Sequence, residues 1–368
     1  MKAIAITPGR VRSVRLVERP EPSIATPDQV KLRTIRVGIC STDREEAEGG
    51  RAQAPEGASE LIIGHEMIGR VVDVGDAVSG IQPGDVACFT VRRGCGQCAP
   101  CAINRSDMCL TGRYRERGIL GLDGFQAEYV VDTAQYLVPI PKEIEAIGVL
   151  TEPLSIVEKA IDDAIRLQFS RLPAALTSPD WLYGRPCLVA GLGPIGLLAA
   201  AALTIRGARV YGMDIVPDDS PRPQWLRAIG GTYINGHEVE PGRIRDEHGP
   251  MHLLFEATGA PALAFNLLDA LDLNGVYILT GIPGNSRTIE LPAAELIRDL
   301  VLKNQVMIGS VNAARGHFQM AVNDLREAEH LWPGLMVRLI TERRRPEEAP
   351  SLLHHHPTDE IKATIEWT

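Results

Sequence analysis

The sequence predicts an α/β protein of two domains, one mostly β and one built on a doubly wound parallel sheet. Its 368 residues are many for a single compact core. Up to about residue 150, turns separate short β-rich runs such as VVDV (71–74) and VACF (86–89). From about residue 187, short apolar strands alternate with helices, which is typical of a parallel sheet. These changes of pattern predict two domains.

The boundaries of the two domains follow from where these patterns change. A helix is expected after Pro153, because the fixed φ of proline suits a first helical turn. The terminal IKATIEW alternates like a strand that rejoins the first domain. We therefore place the first domain at 1–184, completed by 314–368, and the second domain at 185–313.

Composition and charge narrow the choice of partners. The net charge of -9 and the isoelectric point near 5.6 argue against nucleic acid or an anionic membrane and favour a small molecule. The N-terminus has no long apolar secretory segment, and the longest apolar run, IGLLAAAAL (195–203), is too short to span a bilayer. We expect a cytoplasmic protein without persistent disulfides.

Four cysteines lie in RRGCGQCAPCAINRSDMC (92–109), a segment with too few apolar residues to form a core. The spacing C-x2-C-x2-C-x7-C lets them surround one tetrahedral zinc ion. An iron–sulfur cluster takes the same ligands, although nothing else indicates electron transfer, and disulfides or unliganded thiols fit the expected compartment poorly. Four sulfur ligands leave no position for a substrate, so this zinc would be structural. The predicted ligands are Cys95, Cys98, Cys101 and Cys109.

A glycine-rich loop, GLGPIG (191–196), follows the strand CLVA and opens an apolar helix. This context makes the pattern G-x-G-x-x-G a dinucleotide-binding motif, whose alternative is a glycine-rich turn that binds nothing. Gly191 permits the tight turn, Gly193 lets the backbone approach a pyrophosphate, and Gly196 lets helix and strand pack closely. The predicted loop residues are Gly191, Leu192, Gly193, Pro194, Ile195 and Gly196.

Asp214 follows the loop at about the 20-residue spacing expected for a ribose-binding carboxylate. Such a carboxylate accepts hydrogen bonds from the ribose hydroxyls and repels a 2′-phosphate, which favours NAD over NADP. Asp214 as a simple turn residue is the alternative.

Three further segments suggest a second, open metal site: GICSTD (38–43), IIGHEMIGRVVDVGD (62–76) and LTEP (150–153). With PGD (83–85), the four cysteines and GLGPIG in this order, nearly the whole chain resembles the zinc-dependent medium-chain dehydrogenases. Within that family it is most similar to the glucose 1-dehydrogenase group, through CSTDRE (40–45), RRGCGQC (92–98), LTEPLS (150–155) and GSVNAARGHF (309–318). The resemblance implies a GroES-like catalytic domain and a Rossmann cofactor domain.

The resemblance also implies the residues of the catalytic centre. Glu66 or Glu152 would yield its place to water or substrate during the cycle, and Asp43 would orient His65. Without the resemblance, a lone histidine is more often a packed residue, and a glutamate such as Glu152 is favoured near any helix start. Thr42 would hydrogen-bond the substrate oxygen and pass its proton outward, while hydride leaves for the nicotinamide. The implied ligands of the catalytic zinc are Cys40, His65, Glu66 and Glu152.

Further contacts are implied for the sugar and for the coenzyme. Glu116 and Asn312 would face the sugar together with Thr42 and Glu152, and either could instead be a plain surface residue. The implied coenzyme contacts outside the glycine loop and Asp214 are Thr258, Thr280, Gly281 and Asn312.

The chain departs from the glucose dehydrogenase pattern at two points. Val91 stands where many members have an asparagine that contacts sugar hydroxyls. Asp214, Ile215 and Val216 stand where many members have arginines that hold the NADP phosphate. The preferred sugar and the usual coenzyme are therefore the two properties on which this chain could differ from that group.

The leading hypothesis is a zinc-dependent aldose 1-dehydrogenase with two zinc ions per chain, which prefers NAD, with NADP possible, and forms an aldonolactone. The alternative on the same scaffold is a polyol or secondary-alcohol dehydrogenase that forms a ketone. A binding protein that has lost turnover is disfavoured by the intact set Cys40, Thr42, His65 and Glu66. We expect a homo-oligomer, a dimer or a tetramer, with a sugar or polyol substrate.

Overall fold

A computed structural model describes residues 1–172, 180–284 and 288–368. The chain divides into two compact units, residues 1–155 with 312–368 and residues 156–311. No helix in these described ranges is long and apolar enough to cross a membrane.

The strands and helices are numbered here in chain order. The strands are β1 (Lys2–Ile6), β2 (Arg15–Glu18), β3 (Gln29–Ile39), β4 (Leu61–Ile62), β5 (Glu66–Val74), β6 (Val86–Phe89), β7 (Arg92–Arg93), β8 (Arg115–Arg117), β9 (Gly121–Leu122), β10 (Tyr129–Thr133), β11 (Leu137–Pro139), β12 (Pro186–Ala190), β13 (Arg209–Asp214), β14 (Thr232–Asn235), β15 (Met251–Glu256), β16 (Leu271–Leu279), β17 (Val306–Gly309), β18 (Ile340–Arg344) and β19 (Lys362–Glu366). The α-helices are α1 (Ser41–Ala47), α2 (Ala99–Ala102), α3 (Thr151–Arg171), α4 (Pro194–Ile205), α5 (Pro221–Ala228), α6 (Ile244–His248), α7 (Pro261–Asn266), α8 (Ala293–Leu302), α9 (Arg315–Leu331) and α10 (Ala349–His354). Short 3-10 helices cover Ser106–Met108, Ala134–Tyr136, Lys142–Leu150, Pro241–Arg243, Leu267–Ala270, Met336–Leu339 and Pro346–Glu348.

The first unit is mostly β, as the short β-rich runs predict. Its main sheet has the order β11-β6-β5-β3-β19-β18, and β10 pairs with β3 as well. Smaller sheets have the orders β2-β1-β4 and β7-β8-β9. Alternate residues of β3 such as Val30 and Leu32 pack on Phe89 and Phe125 in the core. The strand predicted from IKATIEW is β19, and it pairs antiparallel with β3.

The second unit is built on a six-stranded parallel sheet. Its order is β14-β13-β12-β15-β16-β17, the strand order of the doubly wound dinucleotide-binding fold. Strand β12 is fully buried, and apolar residues of α4 from Leu197 to Leu203 are buried after it. The predicted α/β class, a mostly β unit plus a doubly wound parallel sheet, is confirmed.

The start of α3 differs from the sequence-based expectation. The helix begins at Thr151 rather than after Pro153, so that Pro153 lies inside the first turn, where its missing N–H leaves no helical bond unmade. The two compact units divide after Ser155, inside α3, and the domain boundary at 184/185 stays a prediction. The later part of α3 belongs with the second unit because Gln168 Nε2 donates to the carbonyl oxygen of Asn274 at 2.8 Å.

Candidate active site and metal centres

Cys40 lies between β3 and α1, at the N-cap of the helix. Its Sγ accepts the backbone N–H of Thr42 at 3.2 Å, and its own N–H donates to Asp43 Oδ2 at 2.8 Å. An N-cap position and an N–H donor both favour a thiolate, the form that binds metals. Thr42 is half-buried, and its hydroxyl forms no hydrogen bond with the described part of the chain.

His65 and Glu66 bring two further donor groups to Cys40. His65 Nε2 lies 3.2 Å from Cys40 Sγ, and the donor atoms of Cys40, His65 and Glu66 all lie within 4.8 Å of one another. Sulfur and nitrogen bound to one tetrahedral zinc ion would be about 3.5 Å apart. The three residues therefore fit a shared zinc ion, and both His65 and Glu66 are buried.

The directions in which the pKa values of Cys40 and His65 are shifted also indicate a cation site. Burial raises the pKa of the Cys40 thiol. Burial alone would lower the pKa of His65, but the neighbouring Cys40 and Asp43 outweigh it and raise that pKa well above its usual value. A metal ion binds the opposite forms, a thiolate and a neutral imidazole, and supplies the positive charge that the imidazolium otherwise carries.

Glu66 and Glu152 occupy different positions beside the cysteine and histidine. Glu66 begins β5 and forms a buried ion pair with Lys362 of β19. Glu152, the second residue of α3, is buried, but its carboxylate does not lie within 4.8 Å of all three donors in the described residues. Burial raises the pKa of Glu152 to about 8. A neighbouring cation would act in the opposite direction and favour the ionised carboxylate. Of the four implied ligands, the structure therefore brings Cys40, His65 and Glu66 together and places Glu152 outside that group.

Two buried carboxylates lie behind the donor group. Asp43 Oδ1 is 3.7 Å from His65 Nδ1, which is too long for a hydrogen bond, and it lies on the side of the ring away from Cys40, the side from which a carboxylate can orient a metal-binding imidazole. Glu46, one turn later on α1, is fully buried, and neither of its oxygens has a hydrogen-bond partner in the described residues. Burial, followed by the charge of Asp43, raises the pKa of Glu46 to about 9, which favours the neutral form of this carboxyl.

The four-cysteine lobe, residues 95–109, gathers its thiols around one point. The four Sγ atoms lie within 4.8 Å of one another, and Cys95 and Cys101 are 3.9 Å apart. Tetrahedral zinc with four thiolates places sulfurs about 3.8 Å apart, so the lobe fits such an ion. The Thr111 hydroxyl and backbone amides lower the pKa of Cys95 to about 5, whereas burial raises the pKa of Cys101 to about 12. A cation is thus needed for all four to be thiolates at neutral pH.

The glycine loop lies between β12 and α4 with a different constraint at each glycine. Gly191 has a φ of 87°, and a Cβ on Gly196 would lie 1.7 Å from the carbonyl oxygen of Gly191. A Cβ on Gly193, the N-cap of α4, would meet nothing within 4 Å. This geometry fits a tight turn, a close helix–strand contact and an open approach for a phosphate.

The other predicted coenzyme residues of the second unit lie where its parallel strands end. Asp214 ends β13, and its Oδ2 accepts the backbone N–H of Leu192 at 2.8 Å. Thr258 follows β15 and donates its N–H to Glu256 Oε1 at 2.6 Å, while the Thr280 hydroxyl donates to the Glu256 carbonyl oxygen at 2.8 Å. Ligands of open α/β sheets bind at this carboxyl edge.

Glu116 and Asn312 meet in the first unit. Asn312 Nδ2 donates to Glu116 Oε1 at 2.6 Å, although the two residues are far apart in the sequence. The resemblance implies that Asn312 contacts coenzyme as well as sugar; in this structure its amide donates to Glu116 and accepts the backbone N–H of Ala313. Arg92 donates to the same carboxylate oxygen.

Sequence reasoning missed several residues that contact the predicted ones. They could have been suspected only as charged residues inside predicted strands or motifs, as with the lysine of IKATIEW or the first arginine of RRGC. These residues are Glu46, Arg92, Lys362 and Arg222, whose Nη1 lies 3.6 Å from Asp214 Oδ2.

Comparison with known proteins gives matches along the whole chain. The family profile described as "Alcohol dehydrogenase GroES-like domain" matches residues 26–142, and "Glucose dehydrogenase C-terminus" matches residues 145–367. A glucose 1-dehydrogenase of Thermoproteus tenax is 40% identical over 371 residues, covering 100% of this chain and 99% of the relative. A glucose 1-dehydrogenase of Methanocella arvoryzae is 37% identical over 371 residues, with the same coverage.

Solved structures agree with these matches. The glucose dehydrogenase of Haloferax mediterranei in complex with NADP, Zn and gluconolactone has a TM-score of 0.89 and 31% identity, covering 100% of this chain and 99% of that one. Galactitol-1-phosphate dehydrogenase of Escherichia coli, with a TM-score of 0.79 and 21% identity over 100% of both chains, shares the fold.

Proposed function

Because the chain belongs to the glucose dehydrogenase family of zinc-dependent medium-chain dehydrogenases, we infer that it is a zinc-dependent aldose 1-dehydrogenase. It oxidises C1 of a glucose-like sugar, transfers a hydride to NAD(P) and releases the aldonolactone. The observation that carries this conclusion is the similarity, over the full length, to glucose 1-dehydrogenases at 37–40% identity. The polyol dehydrogenases among the solved structures share only the fold at about half that identity.

The residues of the candidate centre have separate tasks in this reaction. When bound, zinc supplies a Lewis acid that favours ionisation of the substrate hydroxyl, and NAD(P) supplies the hydride acceptor. Cys40, His65 and Glu66 would hold the ion, with Glu152 close by. Lys362, paired with Glu66, would hold that carboxylate whenever it is not a ligand. The four cysteines of the lobe would hold a second, structural zinc.

Two residues at the start of helix α1 would remove the proton of the substrate hydroxyl and orient the His65 imidazole. The half-buried hydroxyl of Thr42 would accept the proton of the substrate hydroxyl and pass it outward. The Asp43 carboxylate would fix the tautomer of His65 by accepting from Nδ1–H, which leaves Nε2 to bind the metal. Thr42 and Asp43 both lie in the first turn of α1, next to Cys40 at its N-cap.

The choice between NAD and NADP depends on two opposed charges. Asp214 would bind ribose hydroxyls and repel a 2′-phosphate, which supports a preference for NAD. Arg222 lies 3.6 Å from the same carboxylate and would offset part of this repulsion. The proposal is therefore an enzyme that prefers NAD and also uses NADP.

We also propose domain boundaries, a cellular location and an oligomeric state. Residues 1–184 with 314–368 would form the catalytic domain and 185–313 the coenzyme domain. The enzyme would act in the cytoplasm as a homo-oligomer, a dimer or a tetramer.

A panel of substrates tests the proposed function. The purified protein is assayed with aldoses, polyols and simple secondary alcohols, each with NAD and NADP, and the products are identified. We expect aldoses such as glucose to give a lactone at the highest kcat/KM. Ketone formation from polyols with no turnover of any aldose would overturn the proposal.

A further inference from the structure

A buried hydrogen-bond network joins the four-cysteine lobe to Glu116. Arg92, in β7, donates from Nη1 to the carbonyl oxygen of Asp107 at 2.9 Å. Asp107 lies inside the lobe, between Cys101 and Cys109, and its side chain has no exposure. The same guanidinium donates from Nε and Nη2 to Glu116 Oε1, at 3.0 and 2.9 Å. One side chain therefore touches both the lobe and the carboxylate.

The Arg92 guanidinium is held by an aromatic ring as well as by these three hydrogen bonds. Its Cζ lies 3.9 Å from the centre of the Tyr114 ring, and the side chain is only 7% exposed. Arg92 and Glu116 are directly paired residues of β7 and β8. A planar guanidinium held by an aromatic ring and three hydrogen bonds has little freedom to move.

The Glu116 carboxylate is engaged at one oxygen and available at the other. Oε1 accepts from Arg92 and from Asn312, whose own Oδ1 is held by the backbone N–H of Ala313 at 2.9 Å. No donor among the described residues reaches Oε2, and the Glu116 side chain keeps 13% of its surface exposed. The network thus fixes the carboxylate plane and leaves Oε2 with its acceptor sites free.

We propose that Arg92 is a positioning residue for sugar recognition, which aims Glu116 Oε2 at a substrate hydroxyl and makes that aim depend on the order of the four-cysteine lobe. This inference rests on the proposed function, since it assigns the acceptor for a polyhydroxylated sugar. Arg92 itself touches neither the sugar nor the metal. Its effect passes through Glu116, because a carboxylate that can rotate loses part of the energy of a charged hydrogen bond.

The proposal gives the structural metal a role beyond stability. An ordered lobe holds the Asp107 carbonyl oxygen in place, and that oxygen fixes one end of Arg92. Loss of the lobe's order frees the guanidinium and therefore Glu116. Sugar affinity should then weaken before the protein unfolds.

Substitution of Arg92 tests the positioning role. Arg92→Gln is expected to raise the dissociation constant of glucose, measured by calorimetry without coenzyme, by about tenfold to a hundredfold. The KM for glucose should rise by a similar factor while kcat falls less than about threefold, because ground state and transition state lose the same hydrogen bond. Arg92→Lys, which keeps the charge but not the fork, should fall between wild type and Arg92→Gln.

A matched arginine provides the control. Arg113, an exposed arginine just after the lobe, takes no part in the bonds of Arg92 or Glu116 in the described residues. Arg113→Gln should leave the glucose dissociation constant unchanged. In a Glu116→Ala background, adding Arg92→Gln should change that constant less than threefold, since the residue through which Arg92 acts is gone.

The outcomes separate this inference from the proposed function. If both Arg92 variants keep wild-type zinc content and bind glucose as the wild type does, the positioning role is overturned. A glucose effect of Arg92→Gln that is equally large in the Glu116→Ala background would also overturn it. Failure of the wild type to oxidise any aldose would instead overturn the proposed function. Should Arg92→Gln not fold, Arg92→Lys decides by the same measurements.

Discussion

At the scale of single residues, the buried carboxylate of Asp43 contacts or faces two of the side chains that would bind the catalytic metal. Asp43 accepts the Cys40 N–H through one oxygen and faces His65 Nδ1 with the other. It is therefore connected to two of the three donors of the candidate centre. In the proposed function its carboxylate would favour the imidazole tautomer that leaves Nε2 free to bind a metal.

Replacing Asp43 by Asn should weaken the centre without removing a ligand. The amide that still accepts from Cys40 would turn its NH2 group towards Nδ1 and favour the wrong tautomer. Metal affinity or kcat/KM should fall by about tenfold to a hundredfold. Zinc competition with a chelator and steady-state rates measure this. Glu45→Gln, on the exposed side of α1, is the control and should have no effect; equal losses in both variants would remove Asp43 from the proposed role.

The coenzyme preference is a second property that single residues set. Asp214→Asn should narrow the preference for NAD over NADP, because the charge that repels the 2′-phosphate is lost. Arg222→Gln should widen it by about tenfold, because the cation that offsets this repulsion is lost. The ratio of kcat/KM for the two coenzymes is the measurement. Arg209→Gln, at the other end of β13, should leave the ratio unchanged, and a wild type that already prefers NADP would contradict the assignment of Asp214.

At the scale of elements, the contact between β12 and α4 depends on the absence of a side chain. A Cβ on Gly196 would overlap the Gly191 carbonyl oxygen, whereas a Cβ on Gly193 would point into open space. The two glycines of this loop therefore have different roles. Gly196 allows α4 to pack against the loop, and Gly193 leaves room for a ligand.

This difference predicts opposite phenotypes for two alanine variants. Gly196→Ala should lower the free energy of unfolding by about 1 to 3 kcal/mol or more, since backbone atoms must shift. Gly193→Ala should cost less than about 1 kcal/mol as an N-cap change but should weaken coenzyme binding at least tenfold. Denaturant unfolding and coenzyme titration test the pair. Tight coenzyme binding by Gly193→Ala would show that no phosphate approaches that position.

At the scale of the whole molecule, the two candidate metal centres both lie in the first unit, in segments that share no ligand. The lobe draws its four donors from one short segment. The candidate centre formed by Cys40, His65 and Glu66 draws its donors from the N-cap of α1 and from the chain at the start of β5. The two ions should therefore be lost independently.

Elemental analysis should find two zinc ions per chain. Cys101→Ser should lose one ion and lower the melting temperature, because binding to a thiolate site contributes folding free energy. His65→Ala should lose the other ion, or its function, while coenzyme still binds. Cys187→Ala, whose thiol is buried in β12, should keep both ions. A wild type with one ion per chain would remove one of the two centres.

The sequence by itself determined the features whose parts are close along the chain. The four-cysteine lobe and the glycine loop each lie within a short segment, so spacing alone brings their atoms together. The alternation of apolar strands and helices likewise determined the parallel sheet, because side-chain periodicity follows directly from backbone geometry. The candidate centre formed by Cys40, His65 and Glu66 could be located only through a resemblance, since α1 and β4 separate Cys40 from the other two residues along the chain.

Only the tertiary structure decided which distant charges face one another. Lys362 meets Glu66, Arg222 lies beside Asp214, and Arg92 with Asn312 holds Glu116. Each contact depends on strand register and on which side chains are buried together, and a local pattern carries neither. Glu152 stays a predicted ligand on the basis of the resemblance. Its carboxylate does not lie within 4.8 Å of all three donor atoms of Cys40, His65 and Glu66 in the described residues, and how far it reaches depends on the packing of α3, which the local sequence does not specify.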